Sequence, residues 1–288
     1  MKNSIGLITE DVTGLDEKTV KEYQIEMVPC KVSWPEGENL PGENIYKKMR
    51  EAEKMGIKTF PKTSQPSPKD YFTAFHKHLQ NFEKILCITL SSKLSGSFNS
   101  VYQARRMLRE PEQVFLFDSL NASAGQALLV LKAIDLVKQG KEIEEILKEC
   151  QKSIPKIHFY IFLEDPKWLE AGGRLSHSVA NWVRKFQKMH LWPCLGIKGG
   201  QVKAVGFTKG KDISEALFRQ IESKSKKLAK NKKIRVAIGY TDNFEMAKNL
   251  EKEIKEKLKA EIPLITFLSP VLGAHLGPGS LAAAWTEI

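Results

Sequence analysis

The sequence is short of several features, and each shortage closes off a class of protein. No apolar run approaches the ~18 residues that a membrane-crossing helix needs, so no integral membrane segment is expected. The four cysteines (Cys30, Cys87, Cys150 and Cys194) lie far apart, with no C-x-x-C pair and no histidine at ligand spacing. A disulfide framework and a metal site are therefore not expected, and the thiols read as reduced and mostly buried. There is no Walker loop, no G-x-G-x-x-G turn and no G-x-S-x-G elbow. Nineteen glycines and 13 prolines are too few for collagen or a low-complexity linker. The opening MKNSIGLITEDV turns polar and acidic too early for a secretion signal, so a cytoplasmic location is expected.

What is present is an ordinary globular composition: 288 residues, 42% hydrophobic and 27% charged, a length that favours two domains. Short apolar runs at 4–9, 25–32, 84–90 and 113–118 read as strands. Helical patterns at 68–80, 97–109 and 122–139 lie between or after them, the last apolar almost all round. Continuous apolar strands alternating with helices imply a parallel sheet covered on both faces. After a helix at 142–153 and a break at Ser153–Pro155 the pattern changes. Strands at 158–163, 194–197, 202–205, 235–240, 262–268 and 280–288 mix with helices at 177–189, 212–229 and 243–260, and Gly199-Gly200 signals a hairpin. The expected fold is α/β: a three-layer α/β/α domain with a mainly parallel sheet over 1–155, and a smaller two-layer α/β domain with a mixed sheet over 156–288.

Charge raises a separate question. Lys+Arg 45 against Asp+Glu 34 gives +11, and residues 224–235, KSKKLAKNKKIR, hold seven basic side chains and no acid. A nucleic-acid surface would be expected to interleave aromatics or belong to a recognisable module, and this run does neither. It reads as a solvated face or as an electrostatic dock for an acidic partner; nucleic-acid binding through 224–235 is a remote alternative.

Three loops carry candidate chemistry. Pro61-Lys62-Thr63-Ser64-Gln65-Pro66-Ser67 leads into a helix, where Ser67 reads as the N-cap and Thr63 lies too far upstream to cap. Ser91-Ser92-Lys93-Leu94-Ser95-Gly96-Ser97 leaves a strand's carboxyl end and opens a helix. Gly96 permits close backbone approach and Ser95 offers a hydroxyl, which suits an anion or a carboxylate. In Gly273-Ala274-His275-Leu276-Gly277-Pro278-Gly279, His275 is the one titratable group in what reads as a rigid apolar loop. Arg174, after Gly172-Gly173, would clamp an anion or pair with an acid.

Taken in order, P-K-T-S-Q-P-S, S-S-K-L-S-G-S with Asn99-Ser100, Asp118-Ser119 with a downstream Ser-Ala-Gly, G-G-R-L-S and G-x-H-x-G-P-G-S resemble the DegV family from end to end. The resemblance implies a long-chain fatty acid in an apolar cavity between the two domains, with no cofactor. It implies that Thr63 and Ser95 hydrogen-bond the carboxylate, with His275 near the headgroup; Ser64, Gly96 and Arg174 are further candidate ligand-binding residues. In some bacteria such proteins present the acid to a separate ATP-dependent fatty acid kinase, which is the implied partner. Thr9-Glu10-Asp11-Val12 stands where the family usually has T-D-S-T. Phe207-Thr208-Lys209-Gly210 stands where many members carry an Arg, and Trp192 is expected to reshape the cavity. The rival enzyme reading is a serine hydrolase built from Ser95, His275 and Asp118.

Overall fold

The computed structural model describes residues 3–226 and 233–288. Twelve strands appear in chain order among the described residues. They are β1 (Asn3–Glu10), β2 (Glu26–Val28), β3 (Lys31–Ser33), β4 (Lys62–Ser64), β5 (Phe82–Thr89), β6 (Val114–Asp118), β7 (His158–Phe162), β8 (Trp192–Lys198), β9 (Gln201–Thr208), β10 (Ile234–Tyr240), β11 (Ala260–Phe267) and β12 (Leu281–Glu287). They form a four-stranded sheet in the order β2-β1-β5-β6, a six-stranded sheet in the order β11-β10-β12-β7-β8-β9, and the small pair β3-β4.

The four-stranded sheet is parallel throughout. Its strands alternate cores, as a period of two requires. Ile5, Leu7, Leu86 and Ile88 face the helices Ser123–Lys138 and Ile143–Ser153. Ile8, Ile85 and Cys87 face Pro68–His78 and Ser97–Arg106. This is the three-layer arrangement that the apolar runs imply. The six-stranded sheet is mixed: β10 pairs β11 in parallel, while β12 runs antiparallel to both β10 and β7. Helices Ile213–Ser225 and Phe244–Lys257 cover one face through Leu217, Ile221, Leu250 and Ile254, packed on Phe162, Val236 and Trp285. Of the cysteines, Cys87, Cys150 and Cys194 are buried and Cys30 is partly so; all four are free thiols.

The chain divides into two compact units, and neither is a continuous segment. The first holds the chain up to Lys31, Ser64–Ile157 and Gly199–Gln201; the second holds Val32–Thr63, His158–Lys198 and Val202–Ile288. Residues 32–63 therefore lie with the second unit rather than in a first domain running from 1 to 155, and the second unit carries the wider sheet. The reason is a satellite core of Trp34, Leu40, Tyr46, Met49 and Ala52 that closes on Trp168. The helix Ile45–Lys54 is also bonded to this unit: the buried Tyr46 hydroxyl donates to Leu268 O at 2.9 Å, and Arg50 pairs with Glu164 and Asp242. At the hairpin tip Gly199 and Gly200 have φ of 56° and 81°, and Gly200 O accepts from Ser91 Oγ at 2.8 Å.

Part of the basic segment 224–235 lies outside the described residues, at 227–232. Its described flanks are engaged: Lys226 pairs with Glu222, and Lys233 and Arg235 share Glu261. No helix among the described residues is long and apolar enough to cross a membrane.

Tyr46→Phe removes one buried hydrogen bond without changing the packing volume. It is expected to destabilise the protein by about 1–2 kcal/mol, read as a lower urea midpoint.

Candidate functional site

His275 lies in the last turn of a short helix, Pro270–Leu276, and not in a loop. Pro270 suits the first turn, and Gly277, at φ 74°, ends the helix; its α-hydrogen faces the Trp168 ring, where a Cβ would come within 2.1 Å. Gly172 has the same function beside the imidazole: a Cβ there would lie 2.2 Å from His275 Nδ1. Two glycines thus make room for the rings of this corner.

The ring's hydrogen bonds fix its chemistry. His275 Nε2 lies 2.8 Å from Thr63 Oγ1, and the buried Nδ1 has no partner among the described residues. A buried N–H without an acceptor costs more than a bare lone pair, so the proton is assigned to Nε2. Nε2–H then donates to Thr63 Oγ1, which leaves the Thr63 hydroxyl proton free for another acceptor. Burial and the nearby Arg174 guanidinium push the imidazole pKa down to about 4, so the ring is neutral at physiological pH. Arg174 itself is half-buried and donates from Nη1 to Gly172 O at 2.5 Å.

Ser95 sits on the other unit, after β5. Ser91 anchors its loop, accepting the Leu94 and Ser95 N–H groups on its carbonyl. Ser95 Oγ accepts from Ser97 N at 3.2 Å and lies 3.0 Å from Ser97 Oγ, so it helps satisfy the start of the helix Ser97–Arg106, which has no side-chain cap at Gly96. Gly96 lets the Gln65 side chain lie against the backbone: a Cβ there would meet the Gln65 amide at 2.3 Å and displace it. Ser64 is exposed in β4. Ser67 forms a reciprocal capping box with Asp70 and is a structural residue.

One buried polar cluster is not among the sites that the sequence singles out. Glu10, at the carboxyl end of β1, is fully buried. Its carboxylate accepts from Tyr71 Oη at 2.8 Å, Leu90 N at 2.9 Å and Gln126 Nε2 at 2.7 Å, and also from the Ser97 hydroxyl. Burial raises its pKa, with those hydrogen bonds opposing the rise. The available signal was a single acid closing an apolar strand at the position of the T-D-S-T motif.

The hydrogen bonds of the residues in the hydrolase reading are otherwise used: among the described residues His275 Nδ1 has no partner, Nε2 is engaged by Thr63, and the Asp118 carboxylate accepts from Ser92 N and Leu120 N of its own loop. Trp192 packs against the core of the second unit and donates its indole N–H to Gly210 O at 3.0 Å. A groove of about 720 Å³ on the first unit, lined by Phe72, Leu79, Met107 and Leu108 among others, includes none of the candidate headgroup residues.

Comparison with known proteins gives a consistent result. The family model "uncharacterised protein, DegV family" matches residues 4–287. A DegV domain-containing protein of Listeria innocua is 29% identical over 293 residues, covering 99% of each chain. A protein of Thermotoga maritima named as a fatty acid-binding protein is 27% identical over 287 residues, covering 96% of each. Among solved structures, that of a DegV family protein from Thermus thermophilus, described for its fatty acid binding, superposes with a TM-score of 0.82 at 25% identity, covering 99% of this chain and 100% of that one.

The neutral imidazole predicts a pH dependence. Folded, His275 holds out against protonation to about pH 4, whereas unfolded it protonates near 6.5. Its contribution to stability is complete above pH 6.5 and is lost as the pH falls toward 4, a loss on the order of 2–3 kcal/mol. Urea unfolding across that window is expected to show this loss, and His275→Gln is expected to flatten it. Side-chain nitrogen NMR near neutral pH is expected to report a protonated Nε2 and a bare Nδ1.

Proposed function

Because the chain belongs to the DegV family, we propose that it binds a long-chain fatty acid and holds the carboxylate with hydroxyl donors, chiefly Thr63 and Ser95. The observation that carries this reading is the Thr63–His275 pair. A neutral histidine that spends its N–H on a threonine oxygen turns that threonine into an outward donor, as a ligand carrying only acceptors requires. The named binding of the Thermotoga and Thermus relatives supports the same ligand class.

The energetics divide between the ends of the ligand. Each buried methylene contributes ~0.8 kcal/mol, so a tail of about fourteen gives a gross term near ~11 kcal/mol before association costs. The hydroxyls fix the head. The protein on this reading is a carrier, not a catalyst. Presentation of the acid to a separate ATP-dependent acyl kinase is the further step that the family resemblance implies, and Lys209 would meet that partner with a charge but without the bidentate fork of an arginine.

Mass spectrometry of lipid extracted from denatured protein is expected to find a long-chain fatty acid. No acyl chain on extraction, together with no uptake of added palmitate or oleate, would sink the proposal. Thr63→Val and Ser95→Ala each delete one hydrogen bond to a charged acceptor and are expected to weaken binding about ten- to a hundredfold without abolishing it. Unchanged affinity in both, with folding confirmed by thermal melts, would place the carboxylate elsewhere.

A further inference from the structure

We infer that Glu10 is a positioning residue for the fatty-acid headgroup: through Ser97 it decides whether Ser95 has a proton to donate, and it takes up a proton when the acyl carboxylate binds. The inference rests on the proposal that Ser95 contacts that carboxylate.

It follows from counting donors along a chain of three side chains. Ionised Glu10 only accepts, so the Ser97 hydroxyl gives its proton to the carboxylate. The bare oxygen of Ser97 then faces Ser95 Oγ at 3.0 Å, and Ser95 spends its own proton on Ser97. In that state Ser95 presents a lone pair to an incoming carboxylate, which is repulsive. Protonated Glu10 reverses the whole chain. The carboxyl O–H donates to Ser97, Ser97 donates to Ser95, and Ser95, which also accepts from Ser97 N at 3.2 Å, has its proton free for the ligand. Nothing is consumed: one proton moves from solvent to Glu10, and two hydroxyls rotate.

The surroundings favour the exchange. Glu10 is fully buried, and none of its hydrogen-bond partners is a cation. The titratable groups that face it are Tyr71 on the helix Pro68–His78, Cys87 on β5 and Cys30 just beyond β2; Asp11, next to Glu10 in the chain, accepts the Cys30 backbone N–H. Burial disfavours ionisation of both thiols, of the tyrosine and of Asp11, and no group among them supplies positive charge to offset a second anion. A ligand carboxylate bound through Ser95 would add that second anion, separated from Glu10 by two serines, and like charges so placed raise each other's proton affinity. The Thr63–His275 pair needs no such step, because its donor is set by a ring already neutral.

The test is oleate binding to delipidated protein by calorimetry from about pH 6 to pH 9, where the oleate carboxylate and His275 keep their charge states. In buffers of contrasting ionisation heat, the wild type is expected to take up as much as one proton per oleate. Its affinity is expected to fall with rising pH by as much as about tenfold per pH unit. Glu10→Gln carries a permanent amide donor and is expected to bind with no proton uptake and a flat pH profile. Ser97→Ala cuts the relay while leaving Glu10 in place and is also expected to lose the slope, which covers the case in which the first variant fails to fold. Wild-type binding that is flat in pH with no proton uptake would overturn the assignment alone, as would a wild-type slope retained in either folded variant. Absence of oleate binding at every pH would overturn the fatty-acid reading and this assignment together.

Discussion

A hydroxyl has one proton to donate, and the headgroup binding proposed for this chain turns on where that proton goes. Thr63 is freed to donate because a neutral imidazole takes the accepting side of its oxygen. The neutrality follows in turn from burial and from Arg174, while two glycines let the rings of His275 and Trp168 come close to the backbone. A Cβ at Gly172 would come within 2.2 Å of His275 Nδ1 and push the ring away from its place against Thr63.

On the proposed reading, recognition by hydroxyls also shapes what the protein would bind. A guanidinium clamp would take any carboxylate or phosphate strongly and with little regard for what is attached. Single hydroxyl bonds are weak enough that the apolar remainder of the ligand decides the affinity, so short acids and inorganic anions compete poorly. The cores of both units are given to aliphatic and aromatic side chains, which suits that division of labour.

Much of this was legible in the residues. Apolar runs such as KILCITL and RVAIGY became β5 and β10 because a strand buried on both faces has no polar side to display. Ser67-Pro68 announced a helix start, and the structure shows its full capping box. The helix Pro270–Leu276 was hidden because three glycines at 273, 277 and 279 and Pro278 read as a tight, rigid loop, although of the three glycines only the latter two adopt positive φ. The placement of residues 32–63 was hidden for another reason. Tyr46 finds its partner 222 positions away, and no local period records a contact at that distance. Glu10 was visible as a departure from a motif, but its burial depends on Tyr71 and Gln126 arriving from two separate helices.

The order of strands in the mixed sheet has a consequence for biosynthesis. β12, the last strand in the sequence, lies between β10 and β7 near the middle of its sheet. While a ribosome is still adding residues 281–287, β7 and β10 have no neighbour to bridge them, and the hydrogen-bonding edges that they will later share stand open. The parallel sheet of the first unit has all four strands by residue 118 and can consolidate while translation continues. The second unit acquires its central ladder only after its final strand has cleared the exit tunnel, so those edges are what a nascent-chain chaperone would need to shield.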